Sequence, residues 1–170
     1  MLHVIVTGPE SSGKSTLARD LAAALGAVAV PEYPRGYLLA AGRRAVLSDF
    51  DHFARVDGQL REAAARQGRG VVRDTACEVL RVWAEDKFDS VPPAVDEAWR
   101  RQRPSAYVLC APDLPWAFDP LREDPHRRRE LHRRYRQLLA QTGVPVIDVG
   151  GSGEQRLRTA LEPLRKLAGR

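Results

Sequence analysis

Gly8-Pro9-Glu10-Ser11-Ser12-Gly13-Lys14-Ser15-Thr16 fits the pattern G-x-x-x-x-G-K-[ST] from Gly8 to Ser15. An apolar run, Leu2 to Val6, leads straight into it. A helical pattern follows, with Leu17, Leu21 and Leu25 on one face. Strand, glycine loop and helix in that order give the pattern a mechanism. Gly8 and Gly13 let the backbone curl until successive N–H groups point inward. The helix starting near Lys14 adds unpaired N–H groups and the positive end of its dipole. Together they imply a cradle for the phosphates of a nucleoside triphosphate, formed by Gly8, Pro9, Glu10, Ser11, Ser12, Gly13, Lys14, Ser15 and Thr16. Lys14 is expected to reach the β- and γ-phosphates and Ser15 to ligate Mg²⁺. A glycine- and serine-rich turn without a ligand is the alternative, and the correct flank on each side argues against it.

The rest of the chain alternates short apolar runs with helical patterns. After Gly26, Ala27 to Val30 reads as a buried strand that runs into the polar cluster Pro31-Glu32-Tyr33-Pro34-Arg35. A short helix is expected over Gly36 to Gly42. Ser48-Asp49-Phe50-Asp51 has the form of a capping box, and Phe53, Val56, Leu60 and Ala64 continue as a helical face. Gly70 to Asp74 is a third strand ending in an acid, followed by a helix through Val79, Val82 and Trp83. Pro92-Pro93 opens another helix, and Ala106 to Cys110 is a fourth strand. Residues 111–126, rich in Pro, Asp and aromatics, read as a loop. A basic helix from Arg127 to Gln141 and a fifth strand from Val144 to Val149 follow. The loop Gly150-Gly151-Ser152-Gly153 then leads to a last helix carrying Leu157, Leu161 and Leu164, which Pro163 is expected to kink or divide.

Short apolar strands alternating with helices imply a parallel sheet covered on both faces. Functional groups in such sheets gather at the carboxyl ends of the strands. Those ends are the glycine loop, Glu32 to Arg35, Asp74-Thr75, Asp113 to Arg122, and the Gly150–Gly153 loop, in which Gly151 and Ser152 are candidates for cofactor contacts.

Asp74, beside the glycine loop, suits Mg²⁺ binding through water or proton acceptance from an attacking hydroxyl. A helix N-cap is the plainer reading, and the two roles can coexist. Glu32 is placed to orient an acceptor hydroxyl, with Tyr33 and Arg35 flanking it; a surface ion pair with Arg35 is the plainer reading. Seven arginines fall from Arg122 to Arg136. They suit a solvated face, a nucleic-acid patch, or a lid that carries arginines onto a transferring phosphoryl group. Trp116 and Phe118 in the preceding loop offer ring faces to a flat substrate and favour the lid, with Arg122, Arg127 and Arg128 as its catalytic arginines. Trp83 and Trp99 sit at core-like helical spacing.

The 170 residues imply one domain, 1–170, with a lid at about 112–130. The net charge of +5 and pI near 9.7 favour anionic partners without choosing between nucleotide and nucleic acid. Cys77 and Cys110 occupy no metal spacing, and no apolar run reaches membrane-spanning length. The first strand begins so early that no leader is expected, and a cytoplasmic protein with reduced cysteines follows. The four histidines form no ligand pattern. The aromatics cluster with Pro and Asp rather than interleaving with basic residues, so nucleic acid is not the expected partner.

With these residues in view, the chain resembles the ribosylnicotinamide kinase domain of NadR-type proteins and their stand-alone P-loop relatives. The matching stretches occur in the family's order: Thr7 to Thr16, Pro31 to Arg35, Asp74-Thr75 with Val82 to Phe88, and Pro112-Asp113-Leu114-Pro115-Trp116 followed by Asp119-Pro120-Leu121-Arg122. The resemblance implies a three-layer α/β P-loop NTPase, similar to nucleoside monophosphate kinases, with an Arg-bearing lid and strand order 2-3-1-4-5. It implies ATP- and Mg²⁺-dependent phosphorylation of the 5′-hydroxyl of nicotinamide riboside, a step of NAD biosynthesis. Glu32, Tyr33, Arg35, Asp74, Trp83, Asp113 and Trp116 then become substrate-side residues, Ser15 and Asp74 the metal ligands, and Arg122 the foremost lid arginine. Ala76 departs from the further polar residue expected there, and no H-x-G-H motif occurs, so adenylylation of the mononucleotide is not expected.

Lys14→Ala is expected to leave the fold intact and to lower nucleoside-triphosphate turnover by orders of magnitude, because the charge opposite the γ-phosphate is lost. Steady-state turnover of the variant near that of the native chain would contradict the cradle.

Overall fold

In the computed structural model, which describes residues 1–169, the twelve elements follow one another as strands and helices around a single sheet. They are β1 (His3–Thr7), α1 (Lys14–Leu25), β2 (Val28–Val30), α2 (Tyr33–Ala41), α3 (Asp49–Ala65) and β3 (Val71–Asp74). Then come α4 (Cys77–Phe88), α5 (Pro93–Arg101), β4 (Ala106–Cys110), α6 (Arg128–Ala140), β5 (Val146–Val149) and α7 (Gly153–Ala168). The strands pair in parallel in the order β2-β3-β1-β4-β5, so the expected three-layer α/β architecture and strand order hold.

The two-residue strand period sorts the core into two layers. Val4 and Val6 of β1, Val72 of β3 and Val108 of β4 pack against Leu17 and Leu21 of α1 and Ala160 and Leu164 of α7. The alternate residues Ile5, Tyr107 and Leu109 pack against Val79 and Val82 of α4 and Leu131, Tyr135 and Leu139 of α6. A third cluster, Leu38, Phe50, Phe53, Leu80 and Val95, joins α2, α3, α4 and α5 beside the sheet and includes half-buried Trp83. β4 and the middle of β1 are apolar on both sides, as a parallel sheet demands, whereas β3 ends in buried Arg73 and Asp74. Among the described residues no helix is long and apolar enough to cross a membrane.

Three local expectations are corrected. The helix expected from Gly36 begins at Tyr33, with Glu32 at its N-cap and Pro34 in its first turn, where a missing N–H costs nothing. The capping box does not form: Ser48 is helical and makes no side-chain cap bond. Asp49 instead accepts the Val46 N–H at 2.9 Å and holds Arg43. Pro163 neither divides nor ends α7, which runs unbroken from Gly153 to Ala168. The buried neighbours Ala160 and Leu164 press that helix onto the core on either side of the proline.

Pro163→Ala should therefore restore the hydrogen bond that proline withholds from the Thr159 carbonyl. The expected gain is about 1–2 kcal/mol after the lost rigidity of the unfolded chain is deducted. Urea unfolding should show a higher midpoint at unchanged slope; a lower midpoint would mean that the proline ring is part of the packing.

Candidate phosphoryl-transfer site

β1 delivers the chain to the centre of the sheet, and the loop after it must turn within contact of β4. Gly8 has φ +136°, and a Cβ there would stand 2.7 Å from the Cys110 carbonyl oxygen. Gly13, at φ +77°, makes the entry to α1 in the left-handed region. Both are positions that only glycine fills without strain. Ser11 also sits at positive φ, which with Gly13 curls the loop around a concavity. The Pro9 carbonyl accepts from Ser12 Oγ at 2.7 Å and from Lys14 Nζ at 2.8 Å, tying the loop's two ends together.

The loop forms one wall of a cavity of about 240 Å³. Glu10, Ser11, Ser12, Gly13, Lys14, Ser15 and Thr16 line it with Gly8; Glu32, Arg35, Trp83 and Arg122 line it from other elements. Of the candidates named from the sequence, these are the ones that the fold brings together. Val79, Leu121 and Tyr135 complete the wall. Tyr135 belongs to the buried stripe Leu131, Tyr135, Leu139 of α6, so its spacing signals core and not cavity.

Glu32 stands at the end of β2, where α2 begins. Burial pushes its carboxyl up to about 7; Asp74 and Glu10 add to that rise, while Lys14 and Arg35 oppose it. Asp74 closes β3 and lies with Glu32 along a small adjoining recess. Burial raises its carboxyl as well, opposed by the hydrogen-bonding Ser15 hydroxyl and by Lys14. Its Oδ1 is buried without a partner, and it does not cap α4, whose N-cap is Ala76. Glu78 takes the Ala76 N–H instead, at 3.0 Å. Thr75, next to Asp74, is held at φ +64° with its N–H on the Val6 carbonyl at 2.9 Å. A β-branched residue in the left-handed region is strained, and such strain gathers at functional sites. An orphaned carboxylate oxygen beside a serine hydroxyl is a hard-oxygen pair of the kind Mg²⁺ takes together with phosphate and water.

The loop between β4 and α6 lies directly on the glycine loop. Arg122 Nη1 donates to Ser11 Oγ at 3.0 Å and to the Ala117 carbonyl at 2.6 Å. The Glu10 carboxylate accepts the N–H groups of Glu123 at 3.0 Å and Asp124 at 3.2 Å. Arg35 pairs with Asp119, joining α2 to the same loop.

The remaining candidates stand elsewhere. Arg127 is committed to Asp86, at 2.7 Å, and to Glu130; Arg134 shares Asp86 at 2.9 Å. Arg128 spends its guanidinium on the carbonyls of Ser11, Pro112 and Leu114. Neither Arg127 nor Arg128 lines the cavity, because carboxylates and backbone carbonyls nearer to α6 take their donors. Tyr33 packs among Tyr37, His52 and Phe53, its hydroxyl 2.8 Å from His52 Nε2. Trp116 is half-buried in its loop and is not a cavity wall. Asp113 pairs with Arg156 and accepts the Gly151 N–H at 2.7 Å. Ser152 is exposed at the N-cap of α7.

Arg156 was not singled out in the sequence. It is buried at 3% exposure, and its guanidinium bonds the carbonyls of Ser12 (2.5 Å), Gly151 (2.6 Å) and Ala111 (3.1 Å).

Glu32 carries a pH signature in stability. Its folded pKa of about 7 lies above the ordinary 4.5, so the folded chain holds a proton there that the unfolded chain has lost. The penalty for burying the charge is absent below about pH 4.5 and complete above about pH 7. Glu32→Gln should raise Tm at pH 8.5 by more than at pH 5. Equal shifts at both pH values would return Glu32 to an ordinary carboxyl.

Comparison with curated proteins finds no match. Among solved structures, the chain superposes on a NadR protein in complex with NR at a TM-score of 0.85 and 23% identity, over 99% of this chain and 52% of that one. A NadR protein in complex with NAD and AMP-PNP gives a TM-score of 0.81 at 23% identity, over 99% of this chain and 50% of that one. The chain thus spans about half the length of these NadR proteins, and the likeness is one of fold. The glycine loop, the parallel sheet and a family match over residues 3–156 agree: the chain belongs to the family described as AAA domain.

Proposed function

We propose that the chain is an ATP-dependent small-molecule kinase that phosphorylates the 5′-hydroxyl of nicotinamide riboside, giving nicotinamide mononucleotide for NAD biosynthesis. One observation carries the kinase reading. A carboxyl poised near neutrality, Glu32, faces the same cavity as the phosphate cradle, Lys14 and Arg122. A nucleotide-hydrolysing switch needs a cradle. A kinase needs, in addition, a group that receives a proton from an alcohol, and the best such group has a pKa near the working pH.

The residues divide the work by position. The N–H groups of the glycine loop and α1 hold the phosphates, and Lys14 offsets the charge of the transferring group. Arg122, anchored on Ser11, presents a second cation to the cavity. Ser15 and Asp74 would hold Mg²⁺, which when bound neutralises phosphate charge. Glu32 orients the acceptor hydroxyl and takes its proton. The segment from Pro112 to about residue 130 acts as a lid over residues 1–170 working as one kinase domain. By closing on Ser11 and Glu10 it excludes water that would otherwise compete as acceptor.

The choice of riboside rests on Trp83 and on the NadR structure in complex with NR. Trp83 is the one tryptophan lining the cavity, and a cationic pyridinium ring favours an indole face. A cation–π contact in a desolvated site is worth about 2 kcal/mol, roughly a thirtyfold preference over a neutral ring.

ADP release measured over nicotinamide riboside, uridine and cytidine should give the highest kcat/KM with nicotinamide riboside. Trp83→Ala should erode that preference roughly tenfold or more, and Trp116→Ala should leave it. The kcat/KM of the native chain should fall as pH drops below about 7, where Glu32 takes up its proton, and Glu32→Gln should lack that limb. Equal use of all three ribosides would leave a kinase with a different acceptor. ATP turnover indifferent to every alcohol would leave only the nucleotide site.

A further inference from the structure

One guanidinium lies where three loops of the site converge. Arg156, in the first turns of α7, touches the Ser12 carbonyl in the loop after β1, the Ala111 carbonyl and Asp113 carboxylate after β4, and the Gly151 carbonyl after β5. Asp113 returns the contact by accepting the Gly151 N–H at 2.7 Å. The Gly13 turn sits directly against it: a Cβ on Gly13 would lie 3.7 Å from Arg156 Nη1.

The consequence follows from the planarity of the peptide group. In a trans peptide, the carbonyl and the N–H of the same unit point in opposite directions. The Ser12 carbonyl is fixed on Arg156, so the Gly13 N–H of that unit must point away from Arg156. That direction is the concave side of the loop, where Gly13 lines the cavity. The Ser12 side chain fixes the same residue a second time through Pro9. Asp113 balances the guanidinium charge, so the pair adds little net field to the cavity. Its effect is on direction. A charged, planar donor with five N–H groups in a rigid fork can hold several carbonyls at once, which a lysine cannot.

We infer that Arg156, with Asp113, is a positioning pair for the phosphate cradle. It aims the Ser12–Gly13 peptide at bound phosphate and locks the loops after β4 and β5 to the same frame. This rests on the glycine loop being the phosphate site, and not on the identity of the acceptor.

Binding of inorganic tripolyphosphate, followed calorimetrically on the intact chain, tests it without an acceptor. Arg156→Met should weaken tripolyphosphate and ATP about tenfold, the loss of a charge-assisted hydrogen bond's worth of aim. Arg156→Lys should fall between the two. Asp113→Asn, at a half-exposed side chain that the fold tolerates, should weaken binding roughly threefold, since the Gly151 bond survives and the ion pair does not. In steady state, the KM for ATP should rise in each variant while the KM for nicotinamide riboside stays put. A merely structural strut would lower Tm and leave the affinities of the folded variants alone. Native tripolyphosphate affinity in Asp113→Asn and in any folded Arg156 variant overturns the inference, as does a native chain that binds neither tripolyphosphate nor ATP. Tight tripolyphosphate binding without riboside phosphorylation would sink the proposed acceptor and leave the positioning pair standing.

Discussion

The carbonyl of Cys110 and the α-carbon of Gly8 approach so closely that no side chain fits between them, and the site depends on that approach. It sets the end of β1 against the end of β4 at the centre of a parallel sheet, where backbone N–H groups run out of strand partners. The glycine loop takes up that deficit by turning them inward. α1 then starts at Lys14, so the positive end of its dipole faces the same concavity. Apolar packing of Leu17 and Leu21 against Val4 and Val6 keeps the helix in line with the strand. A core of aliphatic residues thus serves a cradle made almost entirely of backbone.

The second half of the site is held differently. The loop after β4 meets the glycine loop through Arg122 with Ser11 and Glu10 with two backbone N–H groups, and meets α2 through Arg35 with Asp119. Partly exposed polar contacts of this kind are worth roughly 0–1 kcal/mol each, well below the burial of one core leucine. The cavity therefore has the glycine loop, Val79, Trp83 and Tyr135 fixed by the core, and the part around Arg122 fixed by a polar seam. The proposed lid would use that division, the cradle keeping its aim while the polar seam gives way.

The fold was legible in the sequence because its signals are local. Each strand is a short apolar run, each helix shows its spacing, and the glycine loop marks the first crossover. That Glu32, Arg35, Trp83 and Arg122 would gather beside the glycine loop was legible because they follow strand ends or sit in stretches shared with a known family. Arg156 was not, and the reason is a stripe read one residue out of place. The sequence suggests Leu157, Leu161 and Leu164 as the buried face of α7, whereas the deepest positions are Arg156, Ala160 and Leu164, four apart. An arginine at the head of a buried i, i+4, i+8 stripe is itself a signal, since a buried charge must have partners. Asp113, Trp116, Arg127 and Arg128 were misplaced relative to the cavity for the opposite reason. They lie in or beside a loop without periodicity, where only the fold decides which carboxylate or carbonyl takes each donor. Pro163 shows propensity yielding to packing, with a helix-breaking residue carried through by the two buried neighbours that flank it.

Glu32 and Asp74 are both lifted by burial, yet their surroundings separate them. Asp74 has a serine hydroxyl beside it and an oxygen left without a partner at the edge of the glycine loop. Glu32 has Asp74 among the charges that raise it, and Lys14 first among those that hold it down. Two carboxylates near one ammonium cannot both be fully compensated. In the proposed kinase, Asp74 beside the serine hydroxyl meets the cation and Glu32, lifted to about 7, meets the alcohol. Lys14 links the two assignments. On that proposal, phosphate drawing on its charge would weaken the restraint on Glu32 and raise the carboxylate's affinity for a proton when one must leave the acceptor.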